Sequence, residues 1–140
     1  MPVRGIRGAT TAAANTAAAI NEATEELLRE ITRLNDLDPS DVACVFFTTT
    51  TDLDAEFPAH AARRLGWTQV ALLCGHDMNV RQPNPRGIPM CIRVLILYNT
   101  PRMKTLHAES DGARQRDSAR LSSFLSIFDR PLMFRRFASA

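Results

Sequence analysis

At 140 residues with a formal net charge of +2, the chain is one domain by length, and its 45% hydrophobic and 23% charged residues are ordinary for a soluble globular protein. The longest apolar runs, such as VLILY at 94–98, are too short to span a bilayer, and MPVRGIRGATT at the N-terminus, broken by two arginines, lacks the apolar stretch of a secretory signal. Three widely spaced cysteines (Cys44, Cys74, Cys91) with no C-x-x-C argue against a disulfide framework and for a reducing cytoplasm.

The charge is unevenly spread. Residues 1–100 carry 9 Lys/Arg against 11 Asp/Glu, whereas residues 101–140 carry 8 against 4. The basic tail reads as a solvated or interface segment, and neither a nucleic acid nor a membrane is expected as a partner.

The first element, VRGIRGATT at 3–11, alternates like a strand, with Val3, Gly5, Arg7 and Ala9 on one face and Arg4, Ile6, Gly8 and Thr10 on the other. Arg7 therefore stands over a floor of small side chains. Next, Ile20, Ala23, Leu27, Ile31 and Leu34 recur at helical spacing, and Glu25 and Arg29 form an i,i+4 pair. Asn15 or Thr16 can cap this helix, and Asn35, Asp36 and Pro39 stop it. DVACVFFTTTT at 41–51, rich in β-branched and aromatic residues, reads as a buried strand.

In DLDAEFPAHAARRLG at 52–66, Asp52 or Asp54 can begin a helical turn, Pro58 suits its first turn and Gly66 its C′ position. QVALLCG at 69–75 is a third strand, the proline-rich RQPNPRGIPM at 81–90 a loop, and CIRVLILYNT at 91–100 a fourth strand. The order predicts one α/β domain with a mixed sheet backed by helices. Beyond residue 100 the pattern weakens; DSARLSSFLSIFD at 117–129 can form an amphipathic helix packed on the body or on a neighbouring subunit.

Three arginines are candidates for chemistry. Arg7 and Arg93 sit on strands, Arg93 sharing a face with Cys91, Leu95 and Leu97, and Arg63 follows Ala59 by one turn of the short helix. A guanidinium in apolar surroundings needs a partner, either an acid such as Asp52, Asp54, Glu56 or Asp77, or a ligand carboxylate. Cys74, His76 and Asp77 form no convincing metal motif, and neither G-x-G-x-x-G nor G-x-x-x-x-G-K-[ST] is present. Such a set of cations with few general bases suits a polyanionic substrate whose reaction needs charge stabilisation more than proton transfer.

Four segments in unbroken order, RGIRGATT, DLDAEFPAHAARRLGW, LLCGHDMNV and CIRVLILYNT, resemble the monofunctional trimeric chorismate mutases of the AroH type. The resemblance implies a mixed sheet backed by helices, with three subunits forming a pseudo-barrel and active sites between neighbours. It also implies rearrangement of chorismate to prephenate without cofactor or metal. By the same resemblance, Arg7 binds a substrate carboxylate, Arg63 orients carboxylate at the pocket mouth, and Phe57 and Ala59 line the wall. Leu73 and Cys74 join the binding set, Cys74 near the substrate hydroxyl. Arg93 reaches the ether oxygen whose bond breaks, and Arg93, Asp77 and Arg7 are the catalytic candidates.

Two departures from the family pattern stand out. Asp77 occupies the place of a glutamate and is one methylene shorter, so its bond to the substrate hydroxyl is expected to be longer. The family's tyrosine-bearing C-terminal segment has no match, since TLHAESDGARQRDSARL follows instead. Residues 1–100 are accordingly expected to form the domain core, with 101–140 a divergent basic segment of the same domain. Two other readings stay open on sequence alone: a non-catalytic trimeric binding protein for a small carboxylate, and a reactive-imine deaminase-like enzyme of the same architecture.

If no cofactor is used, turnover of chorismate survives dialysis and chelator; loss of activity with chelator, restored by a divalent cation, contradicts this and returns attention to Cys74, His76 and Asp77.

Overall fold

The structure, a computed structural model, describes residues 2–81, 83 and 87–101, together with the backbone of Ser126–Ile127. In chain order the elements are β1 (Val3–Thr11), α1 (Ala17–Asn35), β2 (Val42–Thr49), α2 (Pro58–Arg64), β3 (Ala71–His76), β4 (Cys91–Asn99) and the two-residue β5 (Ser126–Ile127). The sheet order is β3-β2-β4-β1-β5. β2 and β3 run parallel, while β4 is antiparallel to both β1 and β2, so the sheet is mixed, as the element order predicts.

Both ends of α1 are set by local chemistry. Thr16 Oγ1 accepts the N–H of Ala19 at 3.2 Å, and Asp36, in the left-handed region at φ 48°, returns its N–H to Thr32 O. The apolar stripe places Ile20, Ala23, Leu27, Leu28 and Ile31 in the interior, with Leu34 at its half-buried margin. Opposite lie Ile6 of β1, Val45 and Phe47 of β2, and Val94, Ile96 and Tyr98 of β4. These are alternate residues of each strand, so only one face of the sheet is closed by the helices.

β2 is therefore not buried on both faces as its composition suggested; Ala43 and Phe46 are exposed. α2 begins with Pro58 at its first turn and Phe57 as a cap without a side-chain bond. Gly66 follows the helix at φ +90°, where a side chain would be strained. Neither Asp52 nor Asp54 caps α2; Asp52 bonds Thr50 and Met90, and Asp54 bonds Asn15. Among the described residues no helix is long and apolar enough to cross a membrane.

The amphipathic helix expected over 117–129 lies outside the described residues except at Ser126–Ile127. Those two residues are extended and pair antiparallel with β1, Ile127 opposite Ile6 and Ser126 opposite Arg7. The physical reason is the outer edge of β1, whose backbone donors and acceptors are satisfied there by a strand and cannot be by a helix.

At Gly8, α1 packs tightly on β1. A Cβ at that position would lie 2.8 Å from Ile31 Cδ1 and 3.1 Å from Leu27 Cδ1, both on fully buried side chains. Gly8→Ala is expected to lower unfolding free energy by about 1–3 kcal/mol, measured by denaturant titration. An unchanged midpoint would show that the interface can open without loss.

Candidate active site

The face of the sheet opposite the helices carries two of the three candidate arginines, Arg7 and Arg93. Strand alternation places Gly5, Arg7 and Ala9 of β1 beside Arg93, Leu95 and Leu97 of β4 and Cys44, Phe46 and Thr48 of β2. Leu73 of β3 lies opposite Phe46 on the same face and is 60% exposed. Arg93 lies opposite Ala9 on one side and Thr48 on the other, while Arg7 lies opposite Leu95. The two arginines are thus diagonal neighbours, a relation that typically sets residues about 7–8 Å apart.

Arg93 has a protein partner. Its Nη1 pairs with Oδ2 of Asp77, whose side chain is 16% exposed against 42% for the arginine. Asp77 follows the end of β3, and its N–H donates to Thr49 O at 2.8 Å, continuing the β2–β3 ladder by one residue. Of the four acids considered for the arginines, Asp77 is the one the fold delivers to Arg93. The pair leaves a half-exposed guanidinium fixed in direction, so its remaining N–H groups can meet an anion.

Cys74 points the other way. It packs with Leu72 against the helix-side core, and burial pushes its thiol up, although the Ala59 N–H and the Arg63 charge pull in the opposite direction. Ala59 is buried on α2, Arg63 is exposed one turn later, and Phe57 at the helix start is 68% exposed. The predicted residues therefore fall into two groups: Arg7, Leu73, Asp77 and Arg93 on the open face, and Phe57, Ala59, Arg63 and Cys74 beside α2. Within one chain the sheet stands between Arg93 and Arg63.

The same alternation divides the CGHD segment. His76 Nδ1 lies 3.1 Å from Thr49 Oγ1, while Asp77 turns to Arg93. Among the described residues no group of three or more His, Cys, Asp or Glu side chains is placed to hold a metal ion. Tyr98, the single tyrosine, is 4% exposed in the helix-side core and cannot present its ring to the open face.

Polar anchors that the sequence did not reveal surround the loop before α2. Asp52 accepts the Thr50 hydroxyl and, at 2.9 Å, the N–H of Met90; Thr50 Oγ1 accepts the N–H of Cys91 at 2.9 Å. The Thr50 hydroxyl, helped by the Met90 N–H, holds the Asp52 carboxyl below its usual value. These bonds fix the start of β4, two to three residues before Arg93.

A family model described as chorismate mutase type I matches residues 3–115. The chain is 44% identical over 99 residues to chorismate mutase AroH of Thermus thermophilus, covering 70% of this chain and 78% of that protein. It is 41% identical over 101 residues to chorismate mutase AroH of Bacillus subtilis (strain 168), covering 71% and 76%. Among solved structures, a chorismate mutase from Clostridium thermocellum superposes with a TM-score of 0.66 at 45% identity, covering 71% of this chain and 86% of that one. These likenesses favour neither the binding-protein nor the imine-deaminase reading.

The raised Cys74 value predicts a protonated, unreactive thiol at neutral pH. Alkylation by iodoacetamide, followed residue by residue by peptide mapping, is expected to be slower at Cys74 in the folded protein than in the unfolded chain. Its pH midpoint is expected above the unfolded one. Faster labelling in the folded protein would show that Ala59 and Arg63 outweigh burial.

Proposed function

The chain belongs to the type I chorismate mutase family, and we propose that it converts chorismate to prephenate as a cytoplasmic homotrimer whose sites are completed between subunits. The observation that carries the reading is the Arg93–Asp77 pair on a sheet face shared with Arg7. Two carboxylates and an ether oxygen make the substrate a spread of negative charge, and this face offers cations to meet it. The three described cysteines are free, which suits a reducing cytoplasm.

Support for an assembly comes from two features. Val3, Phe46 and Leu73 are large apolar side chains exposed on the open face or its margin, and an apolar face of this kind needs a cover. The Phe57–Arg63 group is separated from Arg93 by the sheet, so a second chain is the direct way to bring the groups together. A closed trimer supplies every subunit with the same neighbour.

In the rearrangement the C–O bond of the ether lengthens and negative charge grows on its oxygen. Arg93, held by Asp77, is assigned to that oxygen; a cation fixed in advance binds the charge-separated transition state more strongly than the ground state. Arg7 is assigned to a carboxylate, whose charge is present throughout, so it contributes binding more than rate. Asp77 keeps the guanidinium oriented, and its second oxygen can accept the substrate hydroxyl. Phe57, Ala59 and Leu73 wall the ring, Arg63 orients carboxylate at the mouth, and Cys74 lies by the hydroxyl as a neutral thiol.

The direct test incubates purified protein with chorismate and follows loss of its ultraviolet absorbance together with prephenate formation. Arg93→Ala is expected to lower kcat by about two to three decades, the usual effect of removing one preorganised donor. Arg93→Lys keeps the charge without the planar fork and is expected to lower kcat far more than it weakens binding. Arg7→Ala is expected to raise KM. Near-normal kcat in Arg93→Ala would refute the role at the ether oxygen.

A further inference from the structure

Asn15 lies in the turn between β1 and α1, one residue before the Thr16 cap. Because Thr16 caps the helix, the Asn15 carboxamide is available elsewhere, and it reaches a segment 39 residues later in sequence. Its Oδ1 accepts the N–H groups of Asp54 and Ala55, each at 3.0 Å, and its Nδ2 donates to Asp54 Oδ1 at 2.6 Å. A carboxamide is the side chain that can do this, having a two-lone-pair acceptor and a donor in one plane.

The grip falls between two parts of the proposed site. Upstream, Leu53 is buried with Ala12, Ile20, Ala23 and Ile92, and Asp52 is bonded to the start of β4. Downstream, Ala55 is two residues before Phe57, which begins α2 and hence the segment bearing Ala59 and Arg63. The loop is thus tied to the Arg93 strand at one end and to the β1–α1 turn at the other.

We infer that Asn15 is a positioning residue, which sets the placement of Phe57 and of the first turn of α2 at the substrate site. The inference rests on the proposed assignment of Phe57 and Arg63 to substrate binding. Asn15 touches no reacting atom; it restricts the loop to the arrangement that binds. When that arrangement is only partly populated, apparent affinity falls by the populated fraction, while a bound substrate still meets Arg93 unchanged. The signature is a raised KM with kcat preserved.

The experiment compares wild type, Asn15→Ala, Asn15→Asp and the double variant Asn15→Asp/Asp54→Asn for chorismate kinetics, with circular dichroism to confirm folding. Hydrogen exchange is read at the Asp54 and Ala55 amides. Asn15→Ala is expected to raise KM by about two- to tenfold, the worth of a few exposed hydrogen bonds, with kcat within about twofold of wild type. Asn15→Asp sets a carboxylate against that of Asp54 and is expected to raise KM similarly. The double variant rebuilds the bond with donor and acceptor exchanged and is expected to return KM toward wild type. Exchange at both amides is expected to accelerate in Asn15→Ala.

An unchanged KM in folded Asn15→Ala, a fall in kcat alone, unaltered amide exchange or a double variant without recovery would each overturn the inference. A wild-type protein that does not consume chorismate would instead overturn the proposed function, and the amide exchange would still report whether the clasp holds the loop.

Discussion

The close packing of α1 on one face of the sheet is the constraint on which the rest depends. Gly8 lets Ile31 and Leu27 approach β1 within a distance that a methyl group would obstruct. Ile6, Val45, Phe47, Val94 and Ile96 complete that interior. Once these alternate residues are committed to the core, the period of two leaves their neighbours no choice of side. Arg7 and Arg93 are delivered to the opposite face, next to Gly5, Ala9 and Thr48, where small side chains leave room beside them. A one-residue slip of β4 would bury Arg93 and expose Val94, so hydrophobic burial fixes the register that places the cations.

The electrostatic arrangement follows from this geometry. Arg93 emerges half-exposed from an apolar surface, and a guanidinium there needs orientation as much as neutralisation. Asp77 supplies both, itself held by the extension of the β2–β3 ladder through Thr49. The ion pair is partly screened by water, so its worth lies less in stability than in fixing the direction of the guanidinium. A longer side chain at this position would have more freedom; Asp77 holds Arg93 directly. With the sole tyrosine committed to the helix-side core, any closure over the open face falls to other residues.

Much of this was legible in the sequence because it is local or periodic. Ile20 to Ile31 announce α1, Pro58 and Gly66 bracket α2, and the alternation in RGIRG and CIRVL by itself sets Arg7 and Arg93 on the face away from Ile6 and Val94. What was not legible depends on distant residues meeting. Asp77 lies 16 residues before Arg93, and only the exit direction of β3 brings them together. Asn15 and Thr16 both read as possible helix caps; Thr16 takes that role, and nothing local shows that the Asn15 carboxamide grips Asp54 and Ala55. Asp52 and Asp54 likewise read as caps for α2, but serve the loop that precedes it. Phe46 reads as core from its strand composition and is exposed, because a strand in a sheet closed on one side buries only half its residues.

The central claim is that the sheet divides the proposed substrate-binding groups of one chain, so that in the proposed assembly a second chain completes each site. It is tested most directly by complementation between Arg63→Ala and Arg93→Ala, each impaired alone, after unfolding and refolding the two together. Random assembly into trimers gives about one quarter of the sites both wild-type arginines if these come from different subunits, so the mixture regains activity well above either parent. A mixture no more active than its parents would show that Arg63 and Arg93 act within one chain, and would contradict the account.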